Sequence, residues 1–330
     1  MSGSQYENIR VVLAEPSSSF RAELQQLLIA RGFKSIVATG NLAGVVKAVE
    51  DDEVDLLIGD TKMPEGDLSE LIHNIRHGEV GHNPFVVTIT LLGHTAADLV
   101  RRVIDSGTDH VIAKPFDVDE IVDHIENLTH SRKEFVVTTD YIGPNRRKRP
   151  RPGSMEIPLI TVPNPLRSRM TGQITDATIK RSIHSTLAII NEQKVVRHAY
   201  QIGWLMNQIS HVCEDGLADA GNQDITAHMD RLRFVSADIV KRIRHTRYAH
   251  VTDLCMTMVN MSEEIIQNGF KADDIDMIVK LSEVIQGAFD ERRGDPNAFK
   301  RNGEDESQRA CEPDPDPDPE WLAIPDKNDA

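Results

Sequence analysis

Three ionisable side chains, Glu15, Asp60 and Lys114, each directly follow a short apolar run of strand type. Val54-Asp55-Leu56-Leu57-Ile58-Gly59 leads into Asp60, and a loop punctuated by Pro64 and Gly66 comes after it. Ile9-Arg10-Val11-Val12-Leu13-Ala14 precedes Glu15, and Val111-Ile112-Ala113 precedes Lys114. In an open parallel sheet, groups just past the C-terminal ends of strands lie in the crevice where ligands bind. Carboxylates there offer hard oxygen ligands to a divalent cation. An ammonium beside them supplies the opposite charge.

The elements that would carry these groups alternate. Ser17, Ser18 and Ser19 offer caps for a helix to about Ala30, with Phe20, Leu24, Leu27 and Leu28 on its apolar stripe and Gly32 stopping it. A weak strand over Ser35–Ala38 and a helix around Leu42–Glu50 lead to the Asp60 strand. Leu68, Leu71, Ile72 and Ile75 give the next helical stripe, broken at Gly78 and Gly81. Pro84–Leu92 is the fourth strand. A helix from about Ala96 to Ser106 ends at Gly107, and a last one spans about Val118–Leu128. Strand alternating with helix predicts a parallel sheet with right-handed crossovers.

The Asp60 segment, with Met63-Pro64-Glu65-Gly66 behind it and Lys114-Pro115 after the fifth strand, closely resembles the receiver domain of two-component response regulators over residues 8–130. The resemblance implies an α/β fold, a flavodoxin-like doubly wound five-stranded parallel sheet. It implies that Asp60 accepts a phosphoryl group from a histidine kinase or phosphotransfer protein. Lys114 would pair with Asp60 at rest and with the phosphoryl oxygens after transfer. Glu15, Asp60 and the Lys62 backbone carbonyl would hold Mg²⁺. Such a domain catalyses its own phosphorylation and slow dephosphorylation and is not otherwise an enzyme.

Three positions depart from the family pattern. Ala14 stands where the first residue of an acidic pair is usual, which weakens the expected metal site. Leu92 stands where a Ser or Thr hydroxyl would bind the phosphoryl group, so Thr90 serves only if the loop after it is shortened by two residues. Val111 replaces the aromatic side chain that would move with that hydroxyl. These departures keep open a pseudo-receiver, the same fold used as a phosphorylation-independent scaffold.

Residues 1–131 are therefore assigned to the receiver and 132–172 to a linker. The linker contains the basic run Arg146-Arg147-Lys148-Arg149-Pro150-Arg151-Pro152, followed by Pro158, Pro163 and Pro165. Proline removes backbone donors and favours extended chain, so a semi-rigid, solvated tether is expected. Residues 173–292 read as an all-α interaction domain. Its stripes are Ile179, Ile183, Leu187, Ile190, Ala199, Ile202, Met206 and Ile209, then Met229 to Ile265 in one long segment over about Asp224–Gln267, then Ile278, Leu281 and Ile285. Two or three long helices bury such stripes by pairing with another copy, so a homodimer is expected.

No phosphotransfer signature surrounds His184, His198, His211, His228, His245 or His250, which read as exposed helical histidines. A DNA-binding regulator is the further alternative, using the basic linker or Arg231, Arg233, Lys241, Arg242 and Arg244. Against it, the helical basics sit inside one periodic segment and the linker lacks interleaved aromatics. Residues 293–330 form an acidic tail ending in Pro-Asp repeats, expected to be disordered. One hypothesis is that the tail folds back on Arg146–Arg151.

The bulk numbers agree. A chain of 330 residues has room for two modest domains, and 39% hydrophobic residues supports a core. A net charge of −15 argues against a chain that coats nucleic acid. Cys213, Cys255 and Cys311 are scattered and odd in number, which suggests neither a disulfide framework nor a zinc site. With no basic-then-apolar leader and no membrane-length apolar run, a cytoplasmic protein without membrane insertion is expected, with a downstream protein as its target.

Overall fold

The computed structural model describes residues 5–51, 54–147, 157–172, 175–214, 223–244, 246–289 and 322–323. The first domain runs β1 (Arg10–Ala14), α1 (Ser18–Ala30), β2 (Ser35–Thr39), α2 (Leu42–Asp51), β3 (Leu56–Asp60), a two-residue ribbon of β4 (Lys62–Met63) and β5 (Gly66–Asp67), α3 (Leu68–Arg76), β6 (Val87–Leu92), α4 (Ala97–Asp105), β7 (His110–Ala113) and α5 (Val118–Ser131). The five principal strands are parallel in the order β2-β1-β3-β6-β7, the flavodoxin-like arrangement that alternation of strand and helix predicts.

Helix starts are fixed by side chains that satisfy orphan amides. Ser17 accepts from Phe20 N, Asp67 from Ser69 N and Asp117 from Asp119 N. Apolar residues fill both faces of the sheet. Leu13, Ile58, Ile89 and Ile112 pack under α1 and α5, while Val12, Leu57, Leu68 and Ile72 pack on the other face.

The expected tether is not an extended linker where it is described. β8 (Phe135–Val137) and β9 (Ile142–Pro144) form an antiparallel hairpin, and Ile160 bridges to Phe135. Phe135, Val137, Ile142 and Ile160 are buried with Phe85 of the first domain and with Ile183 and Ile190. A buried ion cluster anchors the hairpin. Asp109 accepts from Arg76 Nη2 at 2.8 Å and from Arg132 Nε at 2.8 Å, and both guanidiniums lie over the Phe135 ring, 5.3 and 5.1 Å from its centroid. Gly107 makes room for the hairpin. Its φ of 83° suits glycine, and an added Cβ would stand 2.5 Å from the Ile142 carbonyl oxygen. Arg146, read as part of a solvated basic run, is buried instead and donates to Tyr141 Oη and the Thr108 carbonyl. Residues 148–156, which include Lys148–Pro152 of that run, lie outside the described residues.

After α6 (Pro165–Thr171) come α7 (Asp176–Glu214), α8 (Gln223–Ile243), α9 (Thr252–Asn268) and α10 (Ala272–Phe289). The long segment read across Asp224–Gln267 is two helices. It turns at a 3₁₀ step over Ala249–Val251, where Tyr248 packs on Phe289 at 4.7 Å between ring centroids. No glycine or proline marks that turn, so periodicity alone ran through it. With four helices instead of three, α7 packs on α8, α8 on α9, α9 on α10 and α10 back on α7. The bundle closes around Ile202, Met229, Val235, Met258 and Ile278 within a single chain. The second copy expected from incomplete burial is not needed to cover these stripes.

The first half of α7 joins the hairpin core through Ile183 and Ile190, and the second half joins the bundle core through Val195 to Ile209. At 39 residues it spans about 58 Å and physically links the two domains. Most of the acidic tail, like Lys148–Arg151 on which it was expected to fold back, lies outside the described residues. Its Leu322 and Ala323 form β10, a sixth strand parallel to β7.

Candidate functional site

The parallel register brings together the three strand-end groups. β1 pairs with β3 so that Ala14 lies opposite Gly59, which sets Glu15 beside Asp60; β7 pairs with β6, and Lys114 N donates to the Leu92 carbonyl at 2.7 Å. Lys114 Nζ then reaches Asp60 Oδ2 at 2.6 Å and Glu15 Oε2 at 2.7 Å. Glu15 is 2% exposed and Asp60 7% exposed, so both carboxylates are desolvated and need this cation.

The remaining oxygens are also held. Asp60 Oδ1 accepts from Lys62 N at 2.8 Å and Glu15 Oε1 from Ser17 N at 3.0 Å. The Phe20 ring lies 4.8 Å from Lys114 Nζ and adds a cation–π contact. Burial opposes the Lys114 ammonium, but its bonds to Asp60 and Glu15 outweigh that and raise its pKa above the ordinary lysine value. The Lys62 amide, the Ser17 amide and the Phe20 ring are contributions the sequence did not disclose, because each depends on how the loop after a strand turns back.

Thr90 is not part of this site. The register sets it opposite Gly59, and its hydroxyl pairs with Thr108 Oγ1 at 2.9 Å on the α4 side of the sheet. Leu92 occupies the strand end instead, buried with Leu99, Val103 and Val111. The hydroxyl and aromatic positions are thus filled by two aliphatic side chains packed in one cluster. Ala14 is fully buried among Val45, Met63 and Leu68, so no second acid comes from β1.

Among the described residues no group of three or more Asp, Glu, His or Cys side chains is placed to hold a metal. The oxygen donors of Glu15 and Asp60 nevertheless fit Mg²⁺. That ion is usually held by one or two carboxylates and keeps several waters.

A second polar cluster lies at the seam between the domains. Lys194 of α7 is 1% exposed and donates to the Thr139 carbonyl in the hairpin at 2.6 Å. His198, expected on an exposed face, is fully buried, and its Nε2 lies 2.7 Å from Asp238 Oδ2. The α7 face that carries it turns toward α8, where Asp238 also accepts from Arg242 Nε at 2.8 Å. Arg242 Nη2 donates to the carbonyl of His77, just after α3; Lys241 pairs with Glu79 at 3.0 Å and Arg231 with Asp140 at 2.6 Å. Of the basic residues considered for DNA contact, Lys241 and Arg242 are thereby engaged with the first domain, Arg231 with the hairpin and Arg233 with Asp230, while Arg244, just past α8, is exposed.

Burial pushes Lys194 down to about 7, His77 to about 2 and His198 to about 4. Asp238 moves below the usual carboxylate range because its bond to His198 and the charges around it overcome burial.

Residues 11–126 are a response regulator receiver domain, matching that family over this span. Among known proteins, this chain is similar to the transcriptional regulatory protein PdtaR of Mycobacterium tuberculosis, with 30% identity over 117 residues covering 36% of this chain and 55% of that protein. It is also similar to the probable chemotaxis protein CheY of Rhizobium etli, with 28% identity over 120 residues covering 36% of this chain and 92% of that one. The chain spans about half the length of the mycobacterial relative. A receiver domain of a Francisella response regulator shares 18% identity, with 37% of this chain and 96% of that chain covered and a TM-score of 0.34. No helix among the described residues is long and apolar enough to cross a membrane.

Proposed function

We propose that this protein is a phosphorelay response regulator in which Asp60 accepts a phosphoryl group from a partner histidine kinase or phosphotransfer protein. The observation that carries the reading is Lys114 bridging Asp60 and Glu15 at the C-terminal edge of the sheet. In the transfer, an Asp60 carboxylate oxygen attacks phosphorus, the O–P bond forms, and the P–N bond to the donor imidazole breaks. Lys114, already positioned by Glu15 and Phe20, follows the negative charge from the carboxylate to the phosphoryl oxygens. Mg²⁺ held by Glu15, Asp60 and the Lys62 carbonyl would supply further neutralisation of phosphoryl charge.

The output runs through protein contacts of the helical domain. The seam from α3 and the hairpin to α7 and α8 is the physical route by which a change near Asp60 reaches it. Because Leu92 and Val111 pack together in place of a hydroxyl and an aromatic, this readout does not use the usual family relay. A cytoplasmic location follows from the same reading.

The test is intact mass after incubation with acetyl phosphate and Mg²⁺, beside Asp60→Ala. A magnesium-dependent phosphoryl adduct on the parent chain alone supports the reading. Absence of an adduct with both the small donor and a phosphorylated kinase favours a pseudo-receiver scaffold, the second reading. Buried Ala14, Leu92 and Val111 are the observations behind that alternative.

A further inference from the structure

The longest apolar run in residues 290–330 is Trp321-Leu322-Ala323-Ile324, set between Pro319-Glu320 and Pro325 in an otherwise polar, acidic stretch. Two of these four residues, Leu322 and Ala323, are the ones that join the sheet. Leu322 lies opposite Val111 and Ala323 opposite Ile112, parallel to β7. Without β10, β7 would be the sheet's edge strand.

The side chains of β7 are already accounted for on both faces. Val111 packs with Leu92, Leu99 and Val103, and Ile112 with Ile121 and Ile125. What this strand offers outward is therefore its main chain, a row of donors and acceptors that templates another strand. Binding by strand addition draws its affinity from main-chain hydrogen bonds and asks for an extended, β-compatible ligand. Proline cannot donate to such a ladder, so prolines on either side of the apolar run confine the pairing to a short core.

We propose that the outer edge of β7 is a strand-addition site for a short, extended apolar peptide bracketed by prolines, and that the chain's own Leu322–Ala323 segment is its resident ligand, held in cis. A second protein with a segment of this kind reaches β7 only by displacing the tail. The strand so covered continues directly into Lys114, so its occupancy bears on the element that carries the phosphoryl-site lysine. The proposal holds whether or not Asp60 is phosphorylated.

The test uses the full chain. Leu322→Pro combined with Ala323→Pro removes both backbone donors, whichever faces β7. A fluorescein-labelled peptide with the sequence of residues 319–326 is titrated by anisotropy into the parent and the double variant. The tethered tail competes at an effective concentration set by its linker, so the peptide is expected to bind the double variant about fivefold or more tightly than the parent. Hydrogen exchange of the amides in 110–113 is expected to be faster in the variant. Equal binding to both chains, binding to neither, or unchanged exchange would overturn the proposal. Dimers of the parent chain that the double variant does not form would overturn the assignment in cis.

Discussion

Lys114 Nζ lies 2.6 Å from Asp60 Oδ2, a contact made by residues 54 apart in the chain and by the ends of two strands separated by a third. The same ammonium holds Glu15, so one cation compensates two buried carboxylates. Lys114→Met removes it and leaves Glu15 and Asp60 with only the Ser17 and Lys62 amides and no cation. Yield of the acetyl-phosphate adduct at Asp60 should fall by about tenfold or more, which intact mass reads directly. Lys114 also has a raised pKa in the fold, so its stabilisation is fully present below the ordinary lysine value near 10.5 and is lost as pH rises through the folded one. The parent should therefore lose stability on the alkaline side, and Lys114→Met should lack that loss.

The receiver was legible because its signals are local. Apolar runs ending in Glu15, Asp60 and Lys114 fix strand ends, and a parallel sheet leaves few ways to arrange them. Thr90 was admitted only through a loop shortened by two residues, and the strand read as far as Leu92 does end there. The pairing of Gly59 with Thr90 leaves it short of that end. The hairpin at residues 135–144 was hidden by its short strands and by the prolines and arginines around it. Those arginines read as solvated, yet Arg132 and Arg146 are buried by partners distant in sequence. His198 was missed for a related reason: its burial depends on Asp238 from another helix.

Asp109→Asn should be among the most damaging substitutions in the first domain. It keeps the shape but removes the charge that compensates Arg76, which is fully buried, and Arg132. Breaking a buried ion cluster from one side typically costs about 3–5 kcal/mol. Urea unfolding followed by circular dichroism should show the midpoint fall accordingly. Burial disfavours the Asp109 carboxylate, but Arg132 and Arg76 overcome this and lower its pKa. Its contribution is thus present above the unfolded value near 3.8 and is lost as pH falls through the folded one. The acid limb of the unfolding profile should be shallower in Asp109→Asn.

Cys255 lies in the bundle core beside Met258, and burial pushes its thiol up to about 12. With Cys213 and Cys311 replaced by serine, the native chain at pH 8 should not react with Ellman's reagent. One thiol per chain should appear on adding denaturant. Rapid native reaction would mean that the four-helix core opens readily.

Lys194 tests the seam through pH. Burial holds its amine near 7, against the pull of Asp238 and Asp140 and with the repulsion of Arg242 and Arg231. An unfolded lysine stays protonated to about 10.5, so between pH 7 and 10 the unfolded chain binds more protons and stability rises with pH. Below pH 7 the amine is charged in both states and the full burial cost remains. His77 and His198, lowered by burial to about 2 and about 4, give a separate loss as pH falls from the ordinary histidine value of 6.5. Lys194→Met removes the first effect and keeps the second, though it also leaves the Thr139 carbonyl without its donor. Thermal melts from pH 5 to 10 should show the variant gaining most on the parent below pH 7 and converging with it, or falling below, toward pH 10. A difference that does not change with pH would mean that Lys194 is paired and charged throughout, and that the seam is a fixed ion-pair joint instead of a proton-linked one.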